Sequence, residues 1–201
     1  MANISDPYNL CRACNFTKND CCHTPLPIFV GVIEAIKIHK EVGLKYSDFL
    51  TYTEFEEEQF REAFEELVPR KTIALIMYPP DRRCVFFTEN GCRIPQWKPF
   101  ICRVFPLWYE QEVYKRDGTI QLFAEERTCP LRDKILSFKS MDAGCRFMGT
   151  SEEEIAQIFR NAFEHFRMAR EFEQLFETKS IDAAFAQISI IFKERISLNF
   201  I

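Results

Sequence analysis

The feature that most constrains this chain is its set of nine cysteines, four of which stand close together near the start. Cys11 and Cys14 are separated by two residues, and the adjacent pair Cys21 and Cys22 follows after six more. Thiolates are the soft ligands that select zinc, copper(I) or iron–sulfur clusters, and such a pair can bind one metal from a single turn. The other cysteines are Cys84, Cys92, Cys102, Cys129 and Cys145. Together they predict a metal site built from thiolates.

Disulfide bonds are the main alternative use of so many cysteines. They are typical of small secreted domains that cannot build an adequate core. The first eight residues have neither a basic start nor an apolar run, so no signal peptide is expected. The chain has 201 residues and is 47% hydrophobic, which is enough for an ordinary core. An odd number of cysteines also leaves one thiol over in a full disulfide scheme, so metal binding is favoured.

The charge balance narrows the class of partner. The chain has 26 basic and 30 acidic side chains, so its formal charge is 26 − 30 = −4. A nucleic-acid-binding domain usually carries a basic surface instead. No apolar run approaches the ~20 residues that a transmembrane helix needs. We therefore expect a cytoplasmic protein without a membrane span or a nucleic-acid partner, which binds a metal ion or cluster and works with a protein redox or substrate partner.

A β-hairpin is predicted over residues 85–94. Asn90-Gly91 stands between two apolar segments, and this residue pair favours a two-residue turn. The turn would bring Cys92 back toward Cys84. A thiol at each end of a short hairpin is a usual way of mounting metal ligands.

A strand is predicted over residues 71–78, where apolar residues alternate before two prolines. A second hairpin is predicted over residues 107–123, with Asp117-Gly118 as its turn. This hairpin separates Cys102 from Cys129. The middle of the chain is therefore expected to consist of short strands and loops that carry cysteines.

Helices are predicted on both sides of this β region. The first covers residues 27–41 and stops at Gly43. An acidic second helix follows a capping-box pattern that begins at Thr53. Near the C-terminus, a capping box at Ser151-x-x-Glu154 starts a long helix, and a last helix starts at Ser180 or Asp182.

These elements predict an α+β fold, a small cysteine-rich metal-binding domain with two short β-hairpins and helices, followed by a C-terminal helical pair. Residues 134–150 are interpreted as the linker at the boundary. The division is therefore a metal-binding domain over residues 1–133 and a helical extension over residues 134–201, packed on it.

The order of the cysteine motifs resembles the YkgJ-type CxxCxxCC cysteine-cluster family, also described as a zinc- or iron-chelating domain. The resemblance covers about residues 11–130. It rests on the opening four cysteines, Cys84 before Phe86-Phe87, Asn90-Gly91-Cys92-Arg93-Ile94, Lys98-Pro99, Cys102-Arg103-x-Phe105-Pro106 and Cys129-Pro130. Family members usually have Arg-Pro where this chain has Lys98-Pro99, which keeps the charge but loses a bidentate donor.

The resemblance implies eight metal ligands, and it leaves Cys145 outside the pattern. The implied ligands are Cys11, Cys14, Cys21, Cys22, Cys84, Cys92, Cys102 and Cys129. Eight thiolates can fill two closed zinc sites of four ligands each. A [4Fe–4S] cluster needs four cysteines and is tuned by the polarity and solvent exposure of its surroundings. Six aromatic residues close in sequence to these cysteines can form an apolar shell around a cluster, or an ordinary core. They are Phe86, Phe87, Trp97, Phe100, Phe105 and Trp108.

Several functions agree with this pattern. The most favoured is a protein that holds an iron–sulfur cluster, [4Fe–4S] above others, with a redox or structural role. The first alternative is a structural or interaction module that binds zinc. The second is a component of an S-adenosylmethionine-linked protein N-methylation system, because the flagellin lysine-N-methylases of the resembling family carry such a cluster. No glycine-rich nucleotide motif and no catalytic triad is visible, so catalytic residues are not assigned.

Overall fold

The structure is a computed structural model that describes residues 27–54, 69–79, 82–88, 91–105, 107–109, 122–124 and 130–198. Its elements are helices and short strands, which confirms the predicted α+β class. The helices are α1 (Val32–Val42), α2 (Phe100–Val104), α3 (Pro130–Leu136), α4 (Met141–Phe147), α5 (Glu152–Glu171), α6 (Glu173–Thr178) and α7 (Ile181–Leu198). The strands are β1 (Leu50–Glu54), β2 (Lys71–Leu75), β3 (Met77–Tyr78), β4 (Arg83–Cys84), β5 (Phe87–Thr88), β6 (Gly91–Cys92), β7 (Leu107–Tyr109) and β8 (Leu122–Ala124).

Within the described residues, the strands pair in chain order into four antiparallel sheets of two strands each. Strands β1 and β2 form the longest pair, with Leu50 opposite Leu75. The strand predicted over residues 71–78 is present, but it divides into β2 and β3 because the chain changes partner from β1 to β4 after Ile76. The hairpin predicted over residues 107–123 is confirmed by the pairing of β7 with β8, and its turn lies outside the described residues.

Spatial contacts divide the chain into two compact units. The first unit contains Met77–Phe163, and the second contains Phe29–Ile76 together with Glu164–Ile201. Cys84, Cys92 and Cys102 belong to the first unit. The sequence predicts a metal-binding domain over residues 1–133 and a helical extension over residues 134–201. This division stays a prediction.

Helix α1 begins later than predicted and ends as predicted. It starts at Val32 because the preceding residues pair with β2: Phe29 forms a bridge to it, and the Val30 amide donates to the Ile73 carbonyl at 3.1 Å. The helix is followed by Gly43 at φ 68°, a left-handed conformation that glycine adopts without steric cost.

The second unit joins its two chain segments where helix α7 meets a short 3-10 turn at Tyr46–Asp48. The Tyr46 ring stacks on Phe185 with centroids 4.0 Å apart. Ser47 donates to both carboxylate oxygens of Asp182, from its hydroxyl at 2.6 Å and from its amide at 3.2 Å. The hydroxyl bond is the main reason why the pKa of Asp182 lies below its usual value. The predicted start of the last helix is therefore confirmed and is anchored by a specific polar contact.

The capping box predicted at the start of α5 is present. The Glu154 amide donates to the Ser151 hydroxyl at 3.1 Å, and the Ser151 amide donates to the Glu154 carboxylate at 2.9 Å. The Thr150 hydroxyl adds a third bond at 2.8 Å, and it is the main cause of the lowered Glu154 pKa. The other predicted capping box is wrong at its first residue, because Thr53 lies inside strand β1. The acidic helix predicted after it lies outside the described residues.

Residues 134–150 are interpreted from the sequence as the linker at the boundary, and ten of them belong to helices α3 and α4. These two helices approach closely at Gly144. A Cβ atom at that position would lie 2.7 Å from Cγ2 of Ile135, so the absence of a side chain permits the contact. Helices of seven residues are too short to show a clear apolar period, and this is why the sequence did not predict them.

Candidate metal centre

Cys92 lies on the second strand of the hairpin that the sequence predicts. Strands β5 and β6 pair with Phe87 opposite Cys92 and Thr88 opposite Gly91. Gly91 has φ 100°, a value that strongly favours glycine. The hairpin is therefore confirmed, while its expected turn is wrong by one residue: Gly91 belongs to the strand pair rather than to the tip. Asn90 lies outside the described residues.

Cys84 is the last residue of strand β4, where it pairs with Met77 and is buried. Two residues later, the carbonyl of Phe86 accepts a hydrogen bond of 2.8 Å from the Arg93 amide. The segment after Cys84 is therefore tied to the segment after Cys92. This agrees with the expectation that the hairpin returns the chain toward Cys84.

Cys102 lies on the short helix α2, and the Lys98-Pro99 motif forms the start of that helix. Pro99 has φ −51°, close to the value that its ring imposes, and its carbonyl accepts the Cys102 amide at 2.9 Å. Phe100 and Val104 anchor the helix in the core, while Cys102 is half-buried. The proline thus fixes the backbone that presents the Cys102 thiol.

The predicted apolar surroundings are present in part. Phe86 has 1% of its surface exposed, and Phe100 is also buried. Phe87 and Phe105 are half-buried. Trp97 is 38% exposed, so it does not belong to a closed apolar shell. The side chain of Trp108 lies outside the described residues.

Within the described part of the chain, no three side chains of His, Cys, Asp or Glu come together as a metal site. Cys84, Cys92 and Cys102 therefore do not form such a site by themselves. The remaining ligand candidates, which are Cys11, Cys14, Cys21, Cys22 and Cys129, lie outside the described residues. The chemistry of the described donors fits a soft metal or cluster, since all three are thiols.

Cys145 has the properties of a core residue. It lies in helix α4, carries a free thiol and has 0% of its surface exposed. Burial, reinforced by the nearby carboxylates of Glu152 and Asp142, raises its pKa to about 11. A raised pKa disfavours the thiolate form, which is the form that binds a metal. Its sequence interpretation as a small buried apolar residue is consistent with this environment.

The histidines in the described residues take part in packing within the second unit. The His39 ring stacks on Tyr46 with centroids 4.3 Å apart, and its Nδ1 lies 2.7 Å from the Leu44 carbonyl oxygen. His165 lies beside the buried Glu34, with Nε2 4.0 Å from the Oε1 atom.

Comparison with known proteins identifies a family. A model described as "CxxCxxCC: Putative zinc- or iron-chelating domain" matches residues 10–145, about two thirds of the chain. The match extends beyond the region that the sequence motifs indicated and ends at Cys145. Neither a curated protein nor a solved structure matches the chain. None of the described helices combines the length and the apolar composition that a membrane span requires. The chain belongs to the CxxCxxCC family, and the description of that family supports metal binding.

Proposed function

We propose that this protein holds an iron–sulfur cluster, most simply [4Fe–4S], through cysteine thiolates, and that the cluster has a redox or structural role. The observation that carries the proposal is the number of soft donors within the family region. The proposed donors are Cys11, Cys14, Cys21, Cys22, Cys84, Cys92, Cys102 and Cys129. Thiolates are the usual ligands of such clusters, and one-electron transfer is the chemistry that a bound cluster supplies.

The surroundings of the described donors support iron–sulfur over zinc. Phe86 and Phe100 are buried close in sequence to Cys84 and Cys102, and Phe87 lies directly opposite Cys92. Burial and low polarity are the properties by which a protein tunes the potential of a cluster. A structural zinc site gains nothing comparable, because zinc has no redox chemistry.

The test is the metal content of protein purified without oxygen. We expect a brown protein with broad visible absorption that bleaches on reduction with dithionite, and with iron and acid-labile sulfide in similar amounts. Cys102→Ser should deplete both, because this change removes a donor while Phe100 and Val104 still anchor its helix. A colourless protein that contains stoichiometric zinc would contradict the proposal and favour the zinc-binding module.

A further inference from the structure

Arginine residues accompany the cysteines of the first unit in a way that the proposed function does not use. Each described donor candidate has an arginine as its neighbour in the chain, in Arg83-Cys84, Cys92-Arg93 and Cys102-Arg103. Neighbours in an extended chain point to opposite sides, so adjacency alone does not bring a charge to a thiol. The geometry of the β5–β6 hairpin shows which arginine lies on the same face as a cysteine.

The side chains of Phe87 and Cys92 project from one face of this hairpin. The two residues are direct partners in the β5–β6 pair. The next pair is hydrogen-bonded, because the Arg93 amide donates to the Phe86 carbonyl at 2.8 Å. Hydrogen-bonded and non-hydrogen-bonded pairs alternate, so Phe87 and Cys92 form a non-hydrogen-bonded pair, with Cα atoms about 4.5 Å apart and their side chains close together.

The guanidinium group of Arg83 lies beside the Phe87 side chain, which projects from that face. Its Cζ atom stands over the Phe87 ring, 5.8 Å from the centroid. Arg83 is exposed, whereas the ring and Cys92 are half-buried, so part of the medium between the charge and the thiol is less polar than water. Arg93 carries the same charge and follows Cys92 directly. Its hydrogen bond to Phe86 continues the pairing one residue beyond β6, and the alternation of side chains then directs Arg93 to the opposite face.

We propose that Arg83 is a positioning residue of the metal centre, whose positive charge on the Cys92 face compensates the negative charge of metal-bound thiolates. This inference rests on the proposed function, because it requires Cys92 to bind the metal. Four thiolates around a doubly charged metal core leave a net charge of about −2, which a nearby cation stabilises. Removing the charge therefore weakens metal retention, and for iron it also disfavours the more negative reduced state.

The test compares the wild type with three full-length variants, Arg83→Gln, Arg83→Lys and Arg93→Gln. Each variant is loaded with the same metal that the purified wild type contains. Circular dichroism first establishes that each variant is folded. Metal loss to excess EDTA is then followed with time. We expect Arg83→Gln to lose metal at least about threefold faster than wild type, while Arg83→Lys and Arg93→Gln stay close to it. For an iron–sulfur cluster, the reduction potential of Arg83→Gln should also be lower.

The outcomes separate this inference from the proposed function. A wild type that retains metal, with Arg83→Gln releasing it at the same rate, would overturn the role of Arg83 alone. Equal acceleration by Arg83→Gln and Arg93→Gln would also overturn it, because the effect would then not depend on the face of the hairpin. Fast release from Arg83→Lys would exclude charge as the cause. A wild type that binds no metal would overturn both proposals.

Discussion

Position 31 should tolerate no side chain, because the imidazole ring of His165 occupies the space. A Cβ atom built on Gly31 would lie 2.2 Å from Nδ1 and 2.6 Å from Cγ of that ring. The backbone at Gly31 has φ −69° and ψ 148°, values that any residue adopts. The cost of Gly31→Ala is therefore steric rather than conformational.

The ring has little freedom to move aside. The His165 side chain is 18% exposed and lies beside the buried Glu34, whose carboxylate also accepts the Gly31 amide at 3.1 Å. Overpacking of this kind costs about 1–3 kcal/mol. Alanine is also a poorer N-cap than glycine, which adds up to about 1 kcal/mol. We expect Gly31→Ala to lower the free energy of unfolding by about 2–3 kcal/mol, a large share of the roughly 5–15 kcal/mol of a typical domain.

A double-mutant cycle measures the steric part separately. Urea unfolding would be compared for Gly31→Ala, His165→Ala and the double variant, at one fixed metal content because bound metal shifts the apparent stability. In the His165→Ala background, Gly31→Ala should cost only the capping part, about 1 kcal/mol or less. If Gly31→Ala has the same cost with and without the imidazole, the steric explanation is wrong.

Two further predictions concern helix α4. Gly144→Ala should lower the free energy of unfolding by about 1–3 kcal/mol in urea titrations, because the new methyl would lie 2.7 Å from Cγ2 of Ile135. This loss is expected although alanine has a better helix propensity than glycine. In an Ile135→Ala background, most of the loss should disappear. Cys145→Ser should leave the metal content at the wild-type value, whereas Cys14→Ser should reduce it, and equal losses would place Cys145 at the metal. The Cys145 pKa of about 11 lies above its ordinary 9.0, so the folded state binds more protons between these values. Stability should be unaffected by this thiol below about pH 9 and then fall by at most about 1.4 kcal/mol per pH unit, a slope that Cys145→Ala should lack.

Local signals in the sequence were sufficient where a few neighbouring residues decide the structure. The capping box at Ser151 and Glu154 satisfies the free amides of the first helical turn by itself, so its pattern identifies the start of α5. Gly43 likewise ends α1 because few other residues adopt its backbone conformation easily. The α+β class follows from such signals, since each depends on fewer than about ten residues.

Signals that depend on distant partners were less informative. Phe29 and Val30 lie inside the helix predicted over residues 27–41, yet they are not helical, because strand β2 offers them a partner. The turn of the β5–β6 hairpin was misplaced for a related reason. Asn90-Gly91 favours a turn locally, but the register is set by the pairing of Thr88 with Gly91 and of Phe87 with Cys92.

The same distinction explains what the sequence reveals about the candidate site. Cysteine spacing predicts donor chemistry, because a thiol is a soft ligand wherever it lies. It does not predict donor geometry, because Cys84 and Cys92 lie on strands of two residues and Cys102 lies on a helix of five. Elements this short are not stable alone, so their positions depend on buried neighbours such as Phe86 and Phe100. If these thiols bind metal, the free energy of binding also contributes to the folding of the elements that carry them.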